Sequence, residues 1–283
     1  MTPPLSLLPL PMSESDAIAR AAQPATVATL ARDLRALGVV EGQTVLVHTS
    51  LSALGYIISG PVSLLLALAE VLGPTGTLVM PAHSADLSDP AAWVNPPVPL
   101  EWISIIRAEM PAFDPHLTPT RSMGVTAEAF RHQPGVLRSG HPKVSFAARG
   151  PQAAFITRDH ALSPSMGEGS PLARLYDLDA WVLLLGTDHD HNTSLHLAEV
   201  RADWPGKRWV SDGAPIRLNG QRVWQTYADL DWNDSDFLMI GRDFAEATGL
   251  ERQGLIGAGS ARLMPQRALV DFAVAWMGQQ RGH

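Results

Sequence analysis

The sequence predicts an α/β fold: a mixed, largely parallel central sheet, helices on both of its faces, and a small β-rich elaboration toward the C-terminal end. Three observations carry that prediction. Helix and strand patterns alternate over residues 26–80, the rhythm of a sheet covered by helices. Trp181–Gly186 (WVLLLG) is a continuous apolar run bounded by turn formers, as in a strand buried on both faces. Asn219-Gly220, set between Ile216–Leu218 and Val223–Tyr227, is the strongest short hairpin signal in the chain.

Taken in order, Thr26–Leu37 places leucine and alanine at helical spacing and ends at Gly38, a good C-terminal cap. Thr44–His48 (TVLVH) is a β-branched run after the turn Glu41-Gly42. Pro61–Leu72 returns to a helical pattern that Gly73-Pro74 stops, and Thr77–Met80 is a second buried strand. Ala82–Thr120 is rich in Pro and Trp, with one helical piece over Trp102–Glu109. An irregular stretch this long inside a compact enzyme is expected to be a site wall or lid. Gly124–His132 reads as helix, Leu137–Gly150 as extended chain and Pro151–Thr157 as helix, and Ser170 caps a helix with Pro171 in its first turn. After the hairpin come Asp229, Asp231, Asp234 and Asp236, then a Gly-rich loop, then a final helix over Gln266–Met277. Residues 1–13 are expected to form a disordered extension and residues 14–283 one domain.

With 46% apolar and 17% charged residues the chain is globular rather than disordered. Its 28 acids against 21 bases, a formal charge of -7, argue against general nucleic-acid binding and favour a cationic small molecule as partner. There is no cysteine, which excludes disulfides, thiolate catalysis and cysteine metal sites. The opening MTPPLSLLPLPMSES has no basic flank and no proline-free apolar stretch. No later segment approaches the roughly 18 uninterrupted apolar residues of a membrane span. A cytoplasmic protein without a membrane partner, monomeric or homodimeric, is expected.

The chemistry is expected where Trp181–Gly186 ends, because ligands bind at the carboxyl ends of strands in such sheets. Asn192 or Thr193 caps the next helix, which puts His196 in the first turn and Glu199 three residues on along the same face. A helix N-terminus disfavours imidazolium and offers backbone N–H groups to a developing anion. His196 is thus a candidate neutral base beside a candidate oxyanion site. Asp190 or Glu199 is placed to hold the other ring nitrogen without itself being protonated. Two rival readings use the same segment. Asp188–His191 (DHDH) with His196 resembles a metal cluster, in which His189, His191 and His196 would hold a zinc ion for hydrolysis. A small-molecule binding module without turnover is the other. Gly254-x-x-Gly257-x-Gly259 lacks a Gly-Lys-Ser/Thr ending and reads as a turn. Gly167-Glu-Gly-Ser170 is no nucleophile elbow, since Pro171 removes the backbone N–H an elbow donates.

Six segments in order resemble the antibiotic N-acetyltransferase family, the aminoglycoside 3-N-acetyltransferases. They are LVHTSLSALGYIISGP (Leu46–Pro61), GPTGTLVMPAHS (Gly73–Ser84), FDPHLTPTRSMGVTAEAFR (Phe113–Arg131), RSGHPKVSFAARGP (Arg138–Pro151), GEGSPLARLYDLDAWVLLLG (Gly167–Gly186) and HNTSLHLAE (His191–Glu199). The resemblance implies the family's own α/β fold, distinct from that of the commoner acetyltransferase superfamily, whose Q/R-x-x-G-x-G/A loop is absent here. It implies transfer of acetyl from acetyl-CoA, with no metal, to the 3-amino group of the deoxystreptamine ring of an aminoglycoside. An acceptor amine other than an aminoglycoside stays open as an alternative.

Carried over by position, His196 matches the family's catalytic histidine and Glu199 closes its motif. Asp190 matches the acid of the preceding turn and Glu168 a carboxylate frequent in the family. His48, Thr49, Ser50, Leu51 and Ser52 match the strand-end segment expected at the acetyl-CoA site. Ser122, Met123 and Thr193 are assigned beside it, and Arg121 is assigned to the CoA phosphates. A polycationic acceptor calls for carboxylates, and Asp86, Asp89, Asp231, Asp234 and Asp236 are the candidates, with Glu101, Trp93 and Trp102 as walls. With no cysteine, direct transfer in a ternary complex is expected over an acetyl-enzyme.

Overall fold

The computed structural model describes residues 14–281, so the expected extension at 1–13 lies outside the described residues. In chain order the elements are α1 (Glu14–Arg20), α2 (Val27–Leu37), β1 (Thr44–Thr49), α3 (Pro61–Leu72), β2 (Thr77–Pro81), α4 (Leu100–Glu109), α5 (Gly124–Arg131), β3 (Leu137–Arg138) and β4 (Phe146–Arg149). Then follow α6 (Ala153–Thr157), α7 (Pro171–Asp177), β5 (Trp181–Leu185), α8 (Ser194–Arg201), β6 (Trp209–Leu218), β7 (Gln221–Leu230), α9 (Phe237–Thr248), β8 (Arg252–Ile256), β9 (Gly259–Pro265) and α10 (Gln266–Gln280).

Seven strands make the main sheet in the order β3-β4-β2-β1-β5-β9-β8, while β6 and β7 form a separate two-stranded ribbon. Parallel pairing is confined to the centre, where β1 lies between β2 and β5. β4 and β9 join antiparallel on either side, and β3 and β8 close the edges antiparallel as well. The central strands read as unbroken apolar runs because both faces are covered. Alternate side chains go to opposite cores. Val45, Val47, Leu183 and Leu185 meet α2, α3 and α5, whereas Leu46, Val182 and Leu184 meet helices α6 to α10. Each such fully buried aliphatic side chain stabilises the fold by about 1.5–3 kcal/mol relative to exposure.

Local sequence explains the boundaries. Thr26 caps α2 by accepting from Thr29 N, and Gly38 ends it in the left-handed region at φ 106°. Ser170 accepts from Leu172 N, with Pro171 at the start of α7. Some expectations need correction. Leu137–Gly150 is extended only at its ends, because Gly140 and Pro142 interrupt the middle. The Gly-rich loop expected after Asp236 is in fact α9, followed by the β8–β9 hairpin that turns at Gly257-Ala258. Four of the five β8 residues are exposed, so the strand shows no apolar alternation. The ribbon is also longer than its apolar core, ten residues in each strand.

The irregular stretch 82–123 stands against this ribbon. Helix α4 buries none of its residues and is tied down by polar contacts. Arg107 forms a bidentate pair with Asp89, Arg222 of β7 donates to the carbonyls of Arg107 and Met110, and Phe113 N donates to Pro215 O. No helix among the described residues is long and apolar enough to cross a membrane.

Candidate active site

β1 and β5 are adjacent and parallel, and the chain leaves β1 toward β2 on one side while β5 arrives on the other. The carboxyl ends of these strands therefore open a crevice at a point where strand order reverses. A cleft of about 1160 Å³ occupies it, lined by the end of β1, the turn after it, the start of α5 and the turn from β5 to α8. Close approach of the two strand ends requires glycine at 186. Its φ is 64°, and a Cβ there would sit 2.7 Å from Ser50 O and from Ala53 Cβ.

The cleft brings together His48, Thr49, Ser50, Leu51, Ser52, Ser122, Met123, Asp190 and Thr193. Arg121 is not on its wall. The Arg121 N–H donates to His83 O and its side chain turns to Asp86, 3.5 Å away, with both groups well exposed. Among the described residues the cleft lining holds no Lys or Arg. Its anion-binding features are backbone ones. Ser59 (φ 59°) and Gly60 (φ 54°) precede α3, and Ser122 (φ 59°) and Gly124 (φ 78°) frame the start of α5. At the start of α3 the Gly60 and Val62 N–H groups are already bonded to Ile57 O and Ser59 O and Pro61 has none, whereas the left-handed residues at the start of α5 turn backbone N–H groups toward one point, a concavity suited to an anion.

Strand alternation decides where His48 faces. Thr49 continues the face of Val45 and Val47, while His48 follows Leu46 toward α8, where its Nε2 lies 3.3 Å from Thr193 Oγ1. Burial, with help from the neighbouring His191 and His196, lowers the His48 pKa to about 3, so its ring is neutral. His196 lies just behind this wall rather than on it. Its Nδ1 is 2.5 Å from Glu199 Oε2 at the i,i+3 spacing of α8, and its ring packs against Trp232 and Phe237 with centroids 5.1 and 4.9 Å apart. Glu199 is fully buried, and its other oxygen, Oε1, accepts from Asn233 N at 3.1 Å and Arg281 Nη1 at 2.7 Å. A buried carboxylate at Nδ1 fixes the tautomer that leaves the Nε2 lone pair free, the arrangement a base needs.

Between the two acids the sequence left open, it is Glu199 that touches His196. Asp190 instead meets His191 Nδ1 at 2.8 Å, in a well-exposed pair. Glu168 is also elsewhere, paired with Arg201 at 2.7 Å. The helix start differs from expectation too. Ser194 N donates to Asn192 Oδ1, Leu195 N to Asn192 O and His196 N to Thr193 O, so these N–H groups are already used. Of the hydroxyls at that end, Ser194 Oγ is buried without a partner among the described residues, and Thr193 Oγ1, on the cleft wall, faces His48 Nε2.

His189, His191 and His196 do not converge. His189 is buried with Nε2 on Glu251 Oε2 at 2.7 Å, His191 is exposed, and among the described residues no group of three or more His, Asp or Glu is placed to hold a metal ion.

The proposed acceptor acids are largely neutralised within the chain. Asp86 pairs with Arg121, Asp89 with Arg107, Asp231 with Arg208 and Asp236 with Arg281. Asp234 and Glu101 are exposed, as is Trp102, while Trp93 donates to Ser88 Oγ at 2.9 Å. Sequence reasoning missed a set of buried polar atoms with no partner among the described residues: His83 Nε2, Ser165 Oγ, Tyr227 Oη, Asp229 Oδ2 and Trp232 Nε1. Tyr227 and Asp229 share one face of β7, at period two, with Trp232 following the strand. Burial and the nearby Asp212 and Asp229 carboxylates drive the Tyr227 pKa far above the ordinary tyrosine range. Of these residues, Trp232 packs on the His196 ring, Tyr227 faces the His141 ring and Asp229 accepts from Ser165 N.

Residues 46–278 match the family model described as aminoglycoside 3-N-acetyltransferase. The chain is 44% identical over 254 residues to the SPbeta prophage-derived aminoglycoside N(3')-acetyltransferase-like protein YokD of Bacillus subtilis (strain 168), covering 89% of this chain and 92% of that protein. It is 41% identical over 287 residues to aminoglycoside N(3)-acetyltransferase VII of Streptomyces paromomycinus, covering 96% and 98%. The crystal structure of YokD superposes with a TM-score of 0.91 at 42% identity, over 94% of this chain and 98% of that one. A binary complex of AAC-IIIb with CoASH superposes with a TM-score of 0.82 at 37% identity, over 92% and 98%.

Proposed function

The chain belongs to the aminoglycoside 3-N-acetyltransferase family of transferases, and from that premise we propose that it moves acetyl from acetyl-CoA to the 3-amino group of the deoxystreptamine ring of an aminoglycoside. The observation that carries the reading is the His196–Glu199 pair, set directly behind a large cleft at the carboxyl ends of β1 and β5. A solved relative of the same fold in binary complex with CoASH supports a CoA thioester as the donor. The residues present fit that donor. Leu51, Met123 and Val125 offer apolar surface. The left-handed start of α5 at Ser122-Gly124 would receive the diphosphate in place of the basic side chain the sequence suggested.

A protonated amine cannot attack a thioester, so the site has to hold the acceptor nitrogen neutral and take its proton as the bond forms. His196 Nε2 accepts that proton, and Glu199, kept ionised, holds the ring by Nδ1 and balances the imidazolium. His196 then returns the proton to the departing thiol, which leaves the enzyme unchanged. The Thr193 hydroxyl, next to the neutral His48, is the donor nearest the cleft for the charge that develops on the carbonyl oxygen. The chain has no cysteine, and direct transfer in a ternary complex in the cytoplasm is the simplest course. On the acceptor side, Asp229 Oδ2 and Tyr227 Oη are the polar groups that lack a partner, and an ammonium of the aminoglycoside would supply one.

Incubation of the protein with acetyl-CoA and a panel of aminoglycosides, with the products mapped by NMR, tests this reading. Acetylation at the 3-amino group of deoxystreptamine drugs supports it. Acetylation at another amine, or of none of the drugs while acetyl-CoA is bound, would remove the proposed acceptor.

A further inference from the structure

The His196–Glu199 pair continues beyond Glu199. Burying an ionised carboxylate is costly unless an opposite charge and hydrogen bonds replace water, and a neutral His196 supplies no charge. Arg281, in the turn that follows α10 and 82 positions away along the chain, supplies it. Its side chain is 6% exposed, against 0% for Glu199, and each guanidinium nitrogen is engaged. Nη1 donates to Glu199 Oε1 at 2.7 Å, Nε to Asp236 Oδ2 at 2.7 Å, and Nη2 to Asp236 Oδ1 at 2.6 Å and Asn233 O at 2.7 Å. The guanidinium also lies over the Trp204 ring, 4.8 Å from its centroid. One planar fork thus spans two carboxylates and the loop carrying Asn233, whose own N–H holds the same Glu199 oxygen.

We infer that Arg281 is a positioning residue for acyl transfer: it locks Glu199 in the orientation and the ionised state in which Glu199 serves His196, so the turn after the C-terminal helix sets the basicity of that imidazole. The inference rests on the reading of His196 as the base.

The sign of its effect follows from charge. Glu199, Arg281 and Asp236 together carry one negative charge, which becomes zero when the neighbouring imidazole takes a proton. The other groups facing the pair are the Lys207 ammonium, held by the carbonyls of Val200 and Ala202 at the end of α8, with Asp203 beside it. On the opposite side are His48 and His83, both neutral through burial, and the uncharged rings of Trp232 and Phe237. Removing the guanidinium charge leaves the His196–Glu199 pair more negative. The pair then keeps a proton to higher pH, whichever of the two holds it. The acid limb of the kcat/KM profile, which reports loss of that proton, moves upward.

Three variants of the full-length protein separate this role from a structural clasp between α10 and α9. Arg281→Gln removes the charge and keeps a planar donor, Arg281→Lys keeps the charge and loses the fork, and Asp236→Asn breaks the clasp while leaving Arg281 on Glu199. The expected results are a fall in kcat of about 10- to 100-fold for Arg281→Gln (a part of the ~10²–10⁴-fold that a general base contributes), with the acid limb raised by about one unit. Arg281→Lys keeps the limb in place with a smaller fall in kcat, and Asp236→Asn lowers the limb or leaves it unmoved. KM for acetyl-CoA stays constant throughout. An Arg281→Gln enzyme with the wild-type limb and kcat overturns the inference, and so does an Asp236→Asn enzyme that reproduces the Arg281→Gln profile. If Arg281→Gln does not fold, by circular dichroism, the Lys and Asn variants decide: a raised limb in Asp236→Asn, or wild-type kcat in Arg281→Lys, overturns it. His196→Ala is measured alongside. If it still turns over, the base reading has failed; if it is inactive while Arg281→Gln is normal, only the present inference has failed.

Discussion

Lowering the pH from 7 to 5 should cost this protein most of its stability, and the reason lies in four buried histidines around the site. Burial lowers the pKa of His48, His83, His141 and His160 to about 3 each. Their contacts explain why a proton is unwelcome. His141 Nδ1 accepts from Lys143 N at 3.1 Å and Val144 N at 3.0 Å, and an imidazolium has no lone pair to offer them. His160 faces Ser165 O through Nε2 at 2.7 Å and Ser139 Oγ through Nδ1 at 2.9 Å, which uses both nitrogens of a neutral ring. His83 Nε2 is buried without a partner. Because the folded-state values lie below the unfolded value, the unfolded chain binds more protons between them. The stability these groups contribute is thus complete above pH 6.5 and is lost as pH falls from there toward 3. At pH 5 each histidine accounts for about 2 kcal/mol, and the four for about 8 kcal/mol, comparable with the ~5–15 kcal/mol of a whole domain. Urea unfolding followed by circular dichroism from pH 7.5 to 5 measures the loss, with a limiting slope near 5 kcal/mol per pH unit. Carboxylates add little in this range, since Glu128, for example, is held near 2 chiefly by its hydrogen bond from Arg131. A stability that stays flat between pH 7 and 5 would refute the argument.

Other consequences concern the site. Glu199→Gln keeps the shape of α8 but removes the charge that balances His196, and should lower kcat on the order of 10²–10⁴-fold with KM for acetyl-CoA unchanged, by steady-state kinetics. Asp229→Asn keeps Oδ1, which accepts from Ser165 N and Leu230 N, and changes only the unpartnered oxygen. KM for the aminoglycoside should rise on the order of tenfold while KM for acetyl-CoA stays put; equal shifts in both would place Asp229 outside the acceptor site. Dialysis against EDTA should leave turnover intact, and a loss restored by zinc would bring back the metal reading of His189, His191 and His196.

What could be read from the sequence was whatever is encoded locally. α3, β2 and β5 announce themselves because their apolar runs end at Gly or Pro, β1 because its β-branched run follows the turn Glu41-Gly42, and the ribbon through Asn219-Gly220. His196 and Glu199 were legible as a pair because i,i+3 spacing on one helix guarantees proximity. Asp190 sits in a turn, where spacing fixes no direction, and only the fold shows it turned to His191. Helix α9 carried a readable signal in Phe237, Ile240, Gly241 and Phe244, overshadowed by the acidic residues before it. Strand β8 carried none. The antiparallel flanks follow from long-range pairing of β4 and β9, which no local pattern specifies. The neutral histidines come from β1, the turn after β2, the loop between β3 and β4, and the loop after α6, and only tertiary structure assembles them. Arg281 is likewise a single charged residue until α10 delivers it to Glu199.

The central claim is that His196 is the base for acetyl transfer. Release of CoA thiol by the wild-type and His196→Ala proteins, at saturating acetyl-CoA with an aminoglycoside acceptor and with acetyl-CoA affinity measured by calorimetry on both, tests it most directly. The expected result is unchanged acetyl-CoA affinity with turnover reduced on the order of 10²–10⁴-fold across the neutral pH range. Turnover by His196→Ala within a few-fold of wild type would contradict the account and move the proton transfer to another group.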